Sequence, residues 1–532
     1  MSTHSNFSKL ILLSLLVLIG VTTTAQENPE KWDVLEFTFE TRNDHKSPFE
    51  VELGLVFSHE DGSRIRVPGF YNGDKEWVVR FCPPETGDWS YLSYSSDSKM
   101  AGKEDSFSVT ENTKAWQKGP LMVSEKNPQK FIYADGTPYF LLAFELDWLF
   151  ALDAQNDKDI PKTRQIISTV AEHGYNQIVM NVYAYDAGWG EKDKINPENN
   201  YAKPDVFPFG GSNEDPDYST LNVEFFKRLD RVIEHLNEKK IVSHLMIYVW
   251  NKMVNWPVPG SKEDNRYFDY VVKRYQAYPN LIWDISKEAL AYGRDDMSYI
   301  TERIERLRQL DGHKRLVTVH DYNYCKNFPG KVDIISIQEW APYLYYKMRD
   351  VLDLHEKKPV FNIEHGGYEK TMHSIFNGAY TDPVKCLDRN YQCIFAGTYS
   401  TYYWQNTSWY NVVIDPFSLK EENQPHFDYY QNLVDFFSEY EFNELTPRHN
   451  HFAPPMLSNE KDLYIYYISD DRLGIFGDFP EFVGRKARVK WFDPLTGEFH
   501  ETGEREFNGT WVGIKKPSDI EGPMGIAVVD FR

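Results

Sequence analysis

The sequence predicts an α/β protein: a (β/α)8 TIM barrel flanked by two small all-β sandwich domains. Three observations carry this. From about residue 120 to 445, short apolar strands alternate with amphipathic helices, the pattern of a barrel or a wound sheet. On either side of that stretch, apolar residues fall at every second position, with turn residues between the runs. The length of 532 residues also exceeds what one hydrophobic core fills.

Residues 1–25 read as a secretory signal and predict export: Lys9, an apolar run of about a dozen residues, and a small-residue exit before Gln26. That run is too short to span a bilayer, and no later segment is long and apolar enough, so no membrane span is expected. Residues 26–115 carry short alternating strands at 34–40, 49–57, 76–81 and 87–94. The phrase from Arg80 to Trp89 makes a turn through Pro83, Pro84 and Gly87, as in a β-sandwich.

The barrel is expected over 116–445. Its eight strand candidates are Phe140–Phe144, Asn176–Val182, Val242–Val249, Leu281–Ile285, Leu316–Val319, Ile334–Ile337, Val360–Ile363 and Cys393–Tyr399. Helical patterns lie between several of them, at Lys162–His173, Phe225–Glu238, Tyr267–Tyr275 and Ser298–Gln309. A doubly wound open sheet is the alternative, but no Gly-x-Gly-x-x-Gly follows the first strand. Residues 446–532 return to alternation, with clear strands from Leu463 and from Arg488 and a turn at Pro494–Gly497.

The formal charge of −22 becomes −23 without the signal, which holds one lysine and no acid. Such a chain has no general affinity for nucleic acid or anionic membrane. Cys82, Cys325, Cys386 and Cys393 are too scattered for a disulfide scaffold and are expected reduced and buried. No Cys/His cluster suggests a metal, and no cofactor is expected. Aromatic residues make up 16% of the chain, a density suited either to sandwich cores or to faces that stack on sugar rings.

Chemistry collects where the barrel strands end. The fourth strand stops at Glu288 and the seventh at Glu364. The C-terminal strand ends of a barrel form the floor of its pocket, and two carboxylates on one floor can cleave a glycosidic bond. The structural alternative is a helix cap for Glu288 and an ion pair for Glu364. Glu339, after the sixth strand, is a second candidate nucleophile. His320 could orient a carboxylate or bind a hydroxyl. Trp404 is the expected stacking platform, with Tyr183, Trp148 and Trp340 as further substrate contacts.

The segments Gly119–Ser124 and Tyr133–Ala143 resemble the opening of the apiosidase-like barrels of Bacteroidetes, within the retaining clan of (β/α)8 glycoside hydrolases. Trp491–Glu498 resembles the small C-terminal sandwich labelled collagen-binding, and the N-terminal domain resembles the uncharacterised sandwich that often precedes these barrels. The resemblance implies Glu288 as acid/base, Glu364 as nucleophile, and plant or algal polysaccharides or their oligosaccharides as substrate. One residue departs from the clan pattern: Lys287 stands where an Asn usually precedes the acid/base. It could read a sugar carboxylate or sulfate, or form an ion pair in the wall. Two other readings stay open, a non-catalytic polysaccharide-binding protein and a polysaccharide lyase. A metal-dependent hydrolase would need His-x-His after the first strand, where Phe144, Glu145 and Leu146 stand.

Overall fold

Eight parallel strands form one sheet at the centre of the computed structural model, which describes residues 29–156, 158–186, 203–292, 296–365, 383–403, 414–421, 424–450, 452–469 and 473–532, and the strand Thr22–Thr23. In chain order they are β1 (Leu142–Glu145), β2 (Gln177–Asn181), β3 (Val242–Val249), β4 (Leu281–Lys287), β5 (Leu316–His320), β6 (Ile335–Ile337), β7 (Val360–Asn362) and β8 (Tyr399–Tyr402). Hydrogen-bonded ladders join β1 through β5 in order and β1 to β8, β7 and β6 the other way. The seam between β5 and β6 closes without a ladder. There Asp333 N–H donates to Val317 O (2.8 Å), and Thr318 Oγ1 donates to Ile334 O (2.9 Å) and meets Ser336 Oγ (2.8 Å). The fold is therefore the expected TIM barrel.

Helices α1 (Pro161–Glu172), α2 (Val223–Glu238), α3 (Lys262–Tyr275), α4 (Met297–Leu310), α5 (Tyr322–Asn327), α6 (Leu344–Leu354), α7 (Pro383–Phe395) and α8 (Asp428–Glu439) surround the sheet. Asn222, Ser261, Asp296 and Asp321 cap four of them by accepting a backbone N–H in the first turn. The eighth strand is a correction. Cys393 lies in α7, which is buried all round, so its apolar run does not alternate like a surface helix and mimics a strand. Gly397, at φ +87°, lets the chain turn after that helix, and β8 begins only at Tyr399. All four cysteines are buried thiols, with Cys386 and Cys393 seven residues apart on α7.

The three-stranded sheet Leu121–Val123, Phe131–Tyr133 and Pro138–Tyr139 plugs the N-terminal end of the barrel. Phe131 N–H donates to the Tyr399 hydroxyl at the start of β8 (3.4 Å), and the Tyr139 hydroxyl donates to Asn176 O (3.0 Å) beside β2.

The N-terminal sandwich packs two four-stranded sheets around Phe37, Phe57, Phe81 and Trp89. It is fastened to the barrel by buried charges. Asp230 on α2 accepts from Arg80 of the sandwich (2.7 Å) and from Arg274 on α3 (2.8 and 2.6 Å). The C-terminal sandwich faces a six-stranded sheet with the pair Gly474–Asp478 and Trp511–Lys515. Its Tyr467 hydroxyl donates to Asp388 of α7 (2.5 Å).

Candidate active site

The end of β4 builds the site. Its register against β5 shifts between Asp284 and Lys287, a bulge that interrupts the regular alternation of side chains. Asp284 compensates, because its carboxylate accepts the Ser286 N–H (3.2 Å) and the His320 N–H (2.9 Å). His244 on β3 meets the same carboxylate (3.0 Å) and Gln177 on β2 (3.2 Å), so a buried polar column braces the bulge from inside the barrel. Glu288 then takes a left-handed conformation, φ +56°, while its N–H donates to His320 O (3.2 Å). A regular strand would send Lys287 and Glu288 to opposite faces. The bulge and the left-handed residue bring both to the same group of charges.

Lys287 is the centre of that group. Its Nζ lies 2.5 Å from Glu145 Oε1 at the end of β1, 3.3 Å from Glu364 Oε2 after β7, and 3.8 Å from Asp147 Oδ1. Asp147 also meets Lys252 (2.9 Å) and accepts from Asn181 (2.9 Å). Burial opposes the Lys287 charge, but Asp147, Glu145 and Glu364 outweigh it and hold the ammonium well above the ordinary lysine range. For Asp147 too, burial is overcome, here by Lys252 and Lys287, and the carboxyl is held low.

Glu288 is half-buried, and its carboxyl is pushed up to about 7, first by burial and then by the negative charge of Glu364. Gln338 bonds to Glu288 and lies near His320. His320 Nε2 lies 3.8 Å from Glu364 Oε2; burial, then Lys287, drives its pKa far down, so it is a neutral imidazole at neutral pH. Tyr292, 39% exposed, is pushed up to about 12 by burial and by the charges of Glu288 and Glu364, which places it at the same mouth. One acid that keeps its proton near neutrality beside a buried carboxylate is the pairing that glycosidic cleavage requires.

The sequence-predicted residues divide. Glu288, Glu364, Lys287 and His320 come together. Lys287 is nonetheless a correction as a substrate contact: it is fully buried and its charge is already met by protein carboxylates, so no sugar substituent reaches it. Tyr183 is also a correction, since its buried ring packs among Phe150, Phe207, Phe225 and Trp256. Trp148 is 5% exposed and lies under Lys252 (5.1 Å), which makes it a wall beneath the charge cluster rather than an open platform. The Glu339 carboxylate accepts the Ala341 N–H (2.8 Å) and caps its own loop. Trp340 is half-buried after β6. Trp404 lies outside the described residues.

Lys252 is the participant that strand-end reasoning missed; it follows the end of β3 by three residues, in a turn whose backbone accepts from Tyr185 and Asp186. Among the described residues, no group of three or more His, Cys, Asp or Glu side chains is placed to hold a metal ion, and no helix is long and apolar enough to cross a membrane.

Comparison with known proteins adds the family. Residues 125–433 match the apiosidase-like catalytic domain, and residues 28–96 match a domain of unknown function. The fold resembles that of a candidate glycoside hydrolase from Bacteroides vulgatus at 19% identity, covering 95% of this chain and all of the other, with a TM-score of 0.74. A family 5 glycoside hydrolase from the same organism aligns over 78% of this chain and 94% of its own, at 17% identity and a TM-score of 0.56. No curated protein sequence matches. With the matched domain spanning more than half of the sequence and containing the entire charge cluster, the chain belongs to the apiosidase-like family of catalytic domains and is a glycoside hydrolase.

Proposed function

We propose that the enzyme cleaves plant or algal polysaccharides, or their oligosaccharides, by a retaining mechanism with two glutamates. The observation that carries this is the pairing of Glu288, held protonated up to about pH 7, with Glu364 beside the Lys287 ammonium. The Glu364 carboxylate attacks the anomeric carbon while Glu288 donates its proton to the leaving oxygen. Glu288, now ionised, then takes a proton from the water that releases the sugar from Glu364. Lys287 steadies the nucleophile as an anion, and neutral His320 flanks it without adding charge. The signal-like residues 1–25 support export to the periplasm or beyond, where such polymers are met.

The test is a screen of the purified enzyme on plant and algal oligosaccharides, with the anomer first released read by proton NMR. A product that keeps the substrate's configuration is expected. Inversion would overturn the mechanism, and an unsaturated product would identify a lyase.

A further inference from the structure

A second group of aromatic side chains lies far along the chain from the barrel mouth. In the C-terminal sandwich, the paired strands Gly474–Asp478 and Trp511–Lys515 turn Ile475, Val512 and Ile514 into the core. The opposite face carries Phe476, Trp511, Gly513 and Lys515. Phe452, Phe476 and Trp511 are 56%, 55% and 53% exposed, yet they form one surface. Ring centroids lie 5.2 Å apart for Phe476 and Trp511 and 5.3 Å for Phe452 and Trp511, and the planes of the first pair are within 30°. Contiguous aromatic surface left in water marks a binding face.

Gly513 stands opposite Phe476 in the ladder, and a Cβ there would meet no atom within 4 Å, so the sheet surface between Trp511 and Lys515 is open. Charge narrows the choice of ligand. The Arg505 guanidinium reaches this strand, donating to Gly513 O (2.7 Å), and neither it nor Lys515 has an acidic partner among the described residues. Two such cations at one face favour an anionic ligand there, against the overall charge of −22, and the rings beside them favour one with apolar faces.

We propose that this face is a non-catalytic carbohydrate site that holds a pyranose chain bearing carboxylates. The C–H faces of the sugar rings lie on Trp511 and Phe476, and the uronate carboxylates meet Lys515 and Arg505. Same-face residues of a strand repeat at roughly 6.8 Å, so Trp511 and Lys515 stand about 14 Å apart and one short oligosaccharide segment touches both. The site would keep an acidic polymer on the enzyme between cleavages. It does not depend on the retaining mechanism.

Native gels cast with polygalacturonate or alginate, or with neutral galactomannan, test this on the full-length protein. The anionic polymers should retard the enzyme, with retardation fading as salt is added. Trp511→Ala and Phe476→Ala should each weaken binding about tenfold or more, the scale of losing one stacking ring. Lys515→Glu should weaken it as well, and all three variants should keep full turnover of a small soluble glycoside. Because retardation is read without turnover, a failed mechanism and a failed binding site remain distinct. Equal retardation in galactomannan would overturn the proposal, as would no retardation in any gel or a Trp511→Ala variant that binds like the parent. Sedimentation showing a dimer that Trp511→Ala dissolves would assign the face to a second copy of the chain instead, and also overturn it.

Discussion

Replacing Lys287 by methionine keeps much of the side-chain length and deletes the charge at the centre of the site. The ammonium lies 3.3 Å from Glu364 Oε2. At an effective dielectric of about 20 the two charges attract by about 5 kcal/mol, an upper limit on what the deletion removes. Lys287 also lowers Glu288, so its loss raises that group above about 7. The acid works protonated, so the alkaline limb of the kcat/KM profile should move to higher pH. The assay is kcat/KM from pH 4 to 9 on one activated aryl glycoside, with circular dichroism to confirm folding. Loss of one partner from a buried ionic group costs about 3–5 kcal/mol, so Lys287→Met with Glu145→Gln serves as a second variant with less uncompensated charge. An alkaline limb that stays in place in a folded variant would refute the claim that Lys287 holds the Glu288 carboxyl down.

Glu364→Ala should abolish turnover, whereas Glu288→Ala should lose least on activated leaving groups and regain activity with azide, giving a glycosyl azide of retained configuration; rescue of Glu364→Ala instead would exchange the two roles. In the parent, kcat/KM should fall with an apparent pKa near 7 as Glu288 loses its proton, and an alkaline limb well above pH 8 would assign the acid elsewhere. Because Glu288 has a folded-state pKa near 7, above its ordinary value of 4.5, its stabilising contribution is present below 4.5 and lost as pH rises through 7. Glu288→Gln should therefore raise the Tm more at pH 8.5 than at pH 5, and equal shifts at both would show that the carboxyl is not held protonated.

The barrel was legible because most of its strands announce themselves twice, by apolar runs and by the polar residues that stop them. Glu288 and Glu364 could be named from that pattern alone. For Lys287 the sequence left two readings, a sugar contact or an ion pair in the wall, since it does not reveal that three carboxylates at the ends of β1 and β7 converge on its ammonium. The left-handed turn that aims Glu288 is equally silent, because a Glu carries no mark of positive φ as a Gly does. Tyr183 failed for the opposite reason: a tyrosine after a strand can face the pocket or the next helix, and here aromatic packing decided. Glu145 and Asp147 stand at and just past the end of β1, but their purpose appears only with Lys252 and Lys287 in place.

The matched catalytic segment begins at residue 125, yet the contacts that hold the barrel together begin earlier in the chain. Arg80 comes from the leading sandwich, and it shares Asp230 with Arg274 deep between α2 and α3. Its guanidinium also donates to Arg274 O (3.1 Å), and the Tyr270 hydroxyl of α3 donates to Tyr71 O of the sandwich (2.8 Å). A barrel severed before residue 116 would open this buried charge to water and strip apolar cover from both helices. The unit that recombination can carry from one gene to another is thus longer than the unit that performs the chemistry. A hybrid made by joining this barrel to an unrelated leader must supply an arginine at the same place or lose the outer wall of its second and third helices.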